Sequence, residues 1–316
     1  MLLYMMFLGG VGYDIRTVQG LLSLEVSDMD ITQTQNGSMT GKRVIITGPT
    51  SGFGKEIAVQ LAALGAEIVL ACRDFGGGEQ TADEIARRTG AKTCVVMRID
   101  TSNQQSIHEF ARQFRERFPR LDVLINNAGI NRSQRQTSVD GIELTFATNV
   151  LGYYILTRDL LGLLRANAPA RIVNVASSFA SDLDLTDLQF EHRAYEGRKA
   201  YAQSKACDRL LTWALARRLE GSGVTANAMA PGLVVRTGLY RDASPAVRLL
   251  MRSLSLFFGR SVAQGADTAI WLASSSEVEG VNGRFFNRRQ EVPCKFRNVE
   301  AEEKLWSICE GLTEST

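Results

Sequence analysis

Tyr201 and Lys205 stand at i and i+4 in Tyr201-Ala-Gln-Ser-Lys205, so on a helix they share one face. A phenol exchanges protons poorly at neutral pH, because its free pKa is about 10. A neighbouring ammonium favours the phenolate and lowers that value. The pair is therefore expected to pass a proton to or from an oxygen atom. Lys205 also has three N–H donors suited to ribose hydroxyls. The same spacing occurs at Tyr195-Glu-Gly-Arg-Lys199. That copy contains Gly197 and follows a polar loop. Tyr201 instead opens an uninterrupted helix through Ala206, Leu210, Leu211 and Ala214. The proton chemistry is assigned to Tyr201 and Lys205, with Tyr195 and Lys199 at a loop or rim.

A second constellation lies near the start. The run Thr47-Gly48-Pro49-Thr50-Ser51-Gly52-Phe53-Gly54 follows a β-branched strand and opens a helix. Gly48 permits the sharp turn, Gly52 lets backbone N–H groups approach a pyrophosphate, and Gly54 allows close helix–strand packing. The helix N-terminus adds free donors and a positive dipole end. A nucleoside-triphosphate loop is excluded, because Pro49 stands where it needs glycine and Glu56 where it needs Ser or Thr. The second strand ends in Ala71-Cys72-Arg73-Asp74. A planar guanidinium there suits the 2′-phosphate of NADP, so NADP is preferred over NAD. Asp74 is one residue late and is expected to form a salt bridge or cap the next helix. Gly76-Gly77-Gly78 reads as a flexible loop.

The elements that must hold these residues alternate. Strands are expected at Arg43–Thr47, Ile68–Cys72, Cys94–Ile99, Leu121–Ile125, Arg171–Val175, Val224–Met229 and Arg284–Phe286. Helices are expected at Gly52–Leu64, Glu79–Arg88, Ser106–Phe118, Leu144–Arg165, Tyr201–Glu220 and Val262–Ala273. Apolar strands separated by amphipathic helices mean an α/β fold: one doubly wound parallel sheet of about seven strands, helices on both faces. The 316 residues carry a formal net charge of +2, which gives no long-range attraction to nucleic acid. Five cysteines without a CxxC pair read as reduced thiols, mostly small core residues, and point to the cytoplasm. Two histidines and no metal-ligand spacing leave no expected metal site. Trp213 and Trp271 are expected in the core.

These motifs together resemble a short-chain dehydrogenase/reductase of the non-extended branch, over Thr40 to Glu310. Besides the glycine turn and the Tyr/Lys pair, Asp100 follows strand three, Asn126-Asn127-Ala128-Gly129 follows strand four, and Asn149 lies in the next helix. Ser177 stands at the end of strand five, and Pro231-Gly232 follows strand six. The resemblance implies a single-domain Rossmann fold and hydride transfer between nicotinamide and a carbonyl or alcohol carbon. It implies that Ser177 positions the substrate oxygen and Tyr201 is the acid or base. Lys205 tunes Tyr201 and holds the nicotinamide ribose, while Asn149 holds a water linking Lys205 to solvent. The implied cofactor contacts are Gly48, Ser51, Gly52, Phe53, Gly54, Arg73, Asp100, Asn127, Ala128, Gly129, Tyr201, Lys205, Pro231, Gly232 and Val234. Val234 or Val235 enters because Pro231-Gly232-Leu-Val-Val-Arg-Thr237 carries one residue more than the family pattern. Cys72-Arg73-Asp74, the long gap from Ser177 to Tyr201, and Glu279-Gly-Val-Asn-Gly283 resemble the retinol-dehydrogenase-like branch. That branch usually handles lipophilic alcohols and carbonyls with NADP(H).

Residues 1–38 are expected to be an extension: Met1–Leu8 is too short to span a bilayer, and no basic residue precedes Arg16. Residues 39–316 form the expected domain, with an apolar substrate lid near 233–260 holding Leu249, Leu250, Phe257 and Phe258. That segment leaves a packing helix, a homo-oligomer face and a membrane-surface contact open. A non-catalytic nucleotide sensor and a non-redox epimerase are the alternative functions.

Overall fold

The structure, a computed structural model, describes residues 38–91, 93–181, 183–232, 261–294 and 297–314. The chain divides into two units, Met1–Thr34 and Gln35–Thr316, and the described residues belong to the second. The expected extension up to residue 37, and the expected lid with Val234 and Thr237, lie outside the described residues.

The first half runs β1 Arg43–Thr47, α1 Gly52–Ala63, β2 Glu67–Cys72, α2 Phe75–Thr89, β3 Cys94–Arg98, α3 Gln104–Arg117 and β4 Val123–Asn126. A short α4 Leu144–Phe146 and a π turn at Ala147–Leu151 lead into α5 Gly152–Ala166. Then come β5 Ala170–Val175, α6 Gly197–Arg218, β6 Val224–Ala230, α7 Val262–Ser274, β7 Phe285–Asn287, β8 Gln290–Glu291 and α8 Val299–Glu314. The sheet order is β3-β2-β1-β4-β5-β6-β7-β8. All pairs are parallel except β7–β8, so the sheet has eight strands against the expected seven.

Side chains alternate across the strands and build two cores. Val44 and Ile46 of β1 join Ile57 and Leu61 of α1, Ile85 of α2 and Ile270 of α7 on one face. Ile45 points the other way, with Phe110 and Phe114 of α3, Leu160 of α5, Leu210 of α6 and Leu305 of α8. This period of two, covered on both sides, explains the near-continuous apolar strands. Trp213 and Trp271 are both buried. All five cysteines are free; Cys72, Cys207 and Cys309 are buried, whereas Cys94 and Cys294 are half-buried.

Four elements differ from expectation. The Gly76-Gly77-Gly78 run is the first turn of α2, not a loop. Asp74 caps that helix, its carboxylate accepting from Gly77 N at 3.0 Å. A Cβ on Gly78 would fall 2.6 Å from Val96 and 2.7 Å from the Cys72 sulfur, so glycine lets the helix lie against the sheet. The expected helix Leu144–Arg165 is broken by the π turn. Helix α6 begins at Gly197 rather than Tyr201. Helix α8 was not expected at all; its first turns are dominated by acidic residues that pair with α6, buried Glu302 with Arg217 and Glu303 with Arg218. Among the described residues no helix is long and apolar enough to cross a membrane.

Asp122 locks the register at the sheet centre. Its carboxylate accepts from Arg43 N at 2.9 Å, Lys42 at 3.1 Å and Arg120 at 2.6 Å. Burial alone would raise its pKa, but these donors outweigh burial and hold it below the ordinary 3.8. A carboxyl depressed on folding stabilises above its unfolded pKa and loses that contribution as pH falls through the folded value. Lys42 and Arg120 are partly exposed, so solvent screens their share of the effect, while the Arg43 N–H bond is not screened in this way. Asp122→Asn is expected to cost about 2 kcal/mol at neutral pH in urea unfolding. The gap from wild type should narrow on acidification below about pH 4; a gap unchanged by pH would contradict this account.

Candidate active site

The carboxyl ends of β1 and β4 diverge at the point where strand order reverses, which is where open α/β sheets bind ligands. The glycine turn fills this crevice. Gly48 and Gly52 take φ of +65° and +60°, a left-handed backbone that side chains disfavour. A Cβ on Gly54 would lie 2.4 Å from the Asn127 amide and 2.6 Å from Gly48 O, so glycine is needed for packing there. Ser51 is the N-cap of α1, and its side chain makes no cap hydrogen bond. The first-turn N–H groups therefore present donors and dipole to the crevice.

The loop after β4 is tied to this turn. Asn127 N and Ala128 N both donate to Thr47 Oγ1 at 2.9 Å, and the Asn127 amide donates to Thr47 O at 2.7 Å. Beneath it, Asn126 donates to Asn174 Oδ1 at 2.9 Å and to Thr157 Oγ1 at 3.0 Å. Phe53 is half-buried against the core on the α1 side. At the end of β2, Arg73 is 69% exposed, and its guanidinium stands 3.8 Å from Asp100. The other Asp100 oxygen is held by Ser102 N and Oγ at 3.0 and 2.7 Å. Pro231 and Gly232 follow β6, with Gly232 at φ +78°.

The second half supplies the proton-active groups. Ser177 lies just past β5, where its Oγ accepts from Phe179 N at 3.1 Å, and its side chain is close enough to the Tyr201 phenol to oppose a rise in that group's pKa. Lys205 is sealed in the interior. Its ammonium donates to Val175 O at 2.9 Å and to Asp208 Oδ2 at 2.8 Å, and stands 5.9 Å from the Tyr201 ring centre. The Tyr153 ring of α5 closes the other side at 5.3 Å. Asn149, on the π turn, accepts from Ile130 N at 2.8 Å; its amide donates to Ile130 O at 3.0 Å and Ser204 Oγ at 2.9 Å. Ser204 in turn donates to Tyr201 O at 2.8 Å. Asn149 thus braces the β4 loop against α6, and its oxygen and the Lys205 ammonium converge on Gly129.

The electrostatics around Tyr201 run against an acidic phenol. Burial pushes it up to about 12, the neighbouring Ser177 side chain opposes this, and the Asp208 charge adds to it. Asp208 takes up the lysine's charge instead. Burial would lower the ammonium's pKa, but the Asp208 carboxylate beside it leaves the value raised.

The competing Tyr195/Lys199 pair is separated. Tyr195 donates to Glu143 at 3.1 Å and pairs with Thr145 at 3.2 Å, while Lys199 turns to Glu196 at 2.6 Å. Two residues not singled out from the sequence complete the site. Asp208 is the lysine's partner; an acid one turn on in an apolar helix was the available signal. Arg209 donates to Ser177 O and to the Cys294 sulfur at 3.3 Å, and its guanidinium stacks 3.7 Å over the Phe285 ring. It pins the serine backbone from behind.

A glycine turn at the switch point of a doubly wound sheet, facing a Ser/Tyr/Lys cluster, defines the class as a dinucleotide-binding Rossmann-type oxidoreductase. Residues 42–247 match the family model described as short chain dehydrogenase, and the chain belongs to that family. It is 39% identical over 293 residues to human retinol dehydrogenase 14, covering 87% of each chain. It is also 39% identical to mouse retinol dehydrogenase 12 over 284 residues, covering 88% of this chain and 89% of the relative. Among solved structures, an uncharacterised protein from Mycobacterium paratuberculosis superposes with a TM-score of 0.70 at 31% identity, covering 88% of this chain and 96% of that one. The Pseudomonas aeruginosa RhlG/NADP active-site complex superposes with a TM-score of 0.65 at 27% identity, covering 80% and 97%. The chain is thus a retinol-dehydrogenase-like short-chain oxidoreductase, and its family implies a nicotinamide cofactor. The uncapped α1 N-terminus and the glycine turn fit the pyrophosphate of such a group.

Proposed function

We propose that the chain is an NADP(H)-dependent oxidoreductase acting on the carbonyl or alcohol group of a lipophilic small molecule. The observation that carries this reading is the Tyr201 ring 5.9 Å from the buried Lys205 ammonium, with the Ser177 side chain beside the phenol. The bound nicotinamide supplies a hydride to the carbonyl carbon, or takes one from the alcohol carbon. Ser177 donates a hydrogen bond that orients the substrate oxygen, and Arg209 keeps the serine backbone in place. Tyr201 gives its proton to that oxygen in reduction and accepts it in oxidation. With its pKa near 12, the phenol is protonated at neutral pH, the form that reduction requires. Lys205 keeps one donor for a ribose hydroxyl close to Gly129.

NADP is favoured by Arg73, whose exposed guanidinium at the end of β2 suits a 2′-phosphate. The relative solved as an NADP complex supports the same choice. Residues 39–316 are taken as one domain binding both ligands, with 1–38 as an extension. The lipophilic substrate rests on the retinol dehydrogenase relatives and on Phe179, half exposed just beyond Ser177.

Two variants test the reading. Tyr201→Phe is expected to lower kcat for NADPH-dependent carbonyl reduction by at least about 100-fold. NADPH binding, followed by nucleotide fluorescence, should change little. Sustained turnover in this variant would refute the role of Tyr201. Arg73→Ala should weaken NADPH about tenfold and leave NADH unchanged, read by the same titration. Equal loss for both nucleotides would remove Arg73 as the phosphate contact.

A further inference from the structure

One buried acid has no part in the proposed proton transfer. Asp208 lies one turn beyond Lys205 on α6, and the two side chains are 0% and 4% exposed. A carboxylate is rarely kept so dry without a specific partner. One of its oxygens meets the ammonium at 2.8 Å, while the other, Oδ1, has no hydrogen-bond partner. The surroundings contain few other charges. Lys205, Arg209, Cys207 and Tyr201 face it from its own helix, and Tyr153 faces it from α5. Cys309 of α8 lies behind Cys207. Lys205 and Arg209 are the cations in this set, and Arg209 already binds Ser177 O and the Cys294 sulfur.

The geometry sets two charges in opposition around one phenol. An isolated ammonium 5.9 Å from the Tyr201 ring would stabilise phenolate strongly in a poorly screened interior. A carboxylate bonded to that ammonium turns a single charge into a compact dipole, whose field falls off faster. Two of the ammonium's N–H donors are also committed, to Val175 O and to Asp208, which fixes its direction.

We propose that Asp208 is a positioning residue that anchors Lys205 and compensates its charge, so that Tyr201 keeps its proton and remains a donor into alkaline solution. This rests on the proposed reading of Tyr201 as the proton-transferring group. The direction of the electrostatics agrees: the Asp208 charge raises the pKa of both Tyr201 and Lys205. Burial pushes Asp208's own pKa up, and the Lys205 and Arg209 charges beside it pull against that rise.

Asp208→Asn removes the charge and retains an amide oxygen for Lys205. Two measurements on the full chain read the result. The first follows tyrosinate absorbance against pH without substrate, taking the difference from the same protein carrying Tyr201→Phe. Ionisation of Tyr201 is expected to begin about one pH unit lower, or more, in Asp208→Asn. The second is the pH profile of kcat/KM for NADPH-dependent reduction of a carbonyl, whose alkaline decline should move down by the same amount. Asp208→Glu, which restores the charge, should move both back toward wild type. Asp208→Ser removes the charge with a smaller side chain and gives the same reading if the Asn variant does not fold. Unchanged tyrosinate titration and an unchanged alkaline decline in a folded variant would overturn the proposal. The absorbance titration needs no turnover, so it separates this proposal from the functional reading. If the titration moves while Tyr201→Phe still reduces carbonyls, the functional reading fails and Asp208's hold on Tyr201 stands.

Discussion

A buried ammonium has to be compensated, and this site is arranged around that need. Lys205 sits in the interior with Val175 O and the Asp208 carboxylate as its partners. Leaving out the carboxylate would strand a charge in a poorly solvating medium, at a cost of several kcal/mol. The carbonyl of Val175 belongs to the last residue of β5, so the lysine reports directly on the sheet. The same strand end leads within two residues to Ser177. One strand terminus thereby places the serine and the lysine, and α6 adds the phenol between them.

The braces around this core have separate jobs. Asn127 holds the glycine turn to the β4 loop, while Asn149 holds that loop to α6 through Ser204. Arg209 grips the Ser177 carbonyl from the far side, stacked on Phe285 of β7. The crevice is therefore framed by strands β1, β4, β5 and β7, a rigid base for groups that must meet a reacting atom within tenths of an ångström. A single π turn carries Asn149 in the middle of an otherwise helical stretch, the kind of local departure that gathers at functional sites.

Much of this frame was legible in the sequence. Apolar β-branched runs such as RVIIT can only be buried strands once helices cover both faces, and the glycines at 48, 52 and 54 each meet a geometric demand. The choice of Tyr201 over Tyr195 followed from helix continuity; Tyr195 bonds Glu143, while the Tyr201 ring lies 5.9 Å from the buried Lys205 ammonium. Where reading by residue type failed, a long-range contact decided. The glycine run at 76–78 looked like a loop because its packing against Val96 and Cys72 is invisible locally. The charge-dense start of α8 hid its apolar face, which includes Leu305 and Cys309. The electrostatic setting was the least legible part. Lys205 was assigned to the phenol on spacing, helix continuity and family resemblance, while its partner Asp208, 2.8 Å away on the same helix, was not singled out.

The central claim is that Tyr201 exchanges a proton with the substrate oxygen while Lys205 stays bound to Val175 and Asp208. A crystal structure with NADP+ and a bound alcohol tests it most directly. The account predicts the alcohol oxygen within hydrogen-bond distance of both the Tyr201 and Ser177 hydroxyls, with the Lys205 contacts unchanged. An oxygen held by other groups, or a lysine swung away from Asp208, would contradict it.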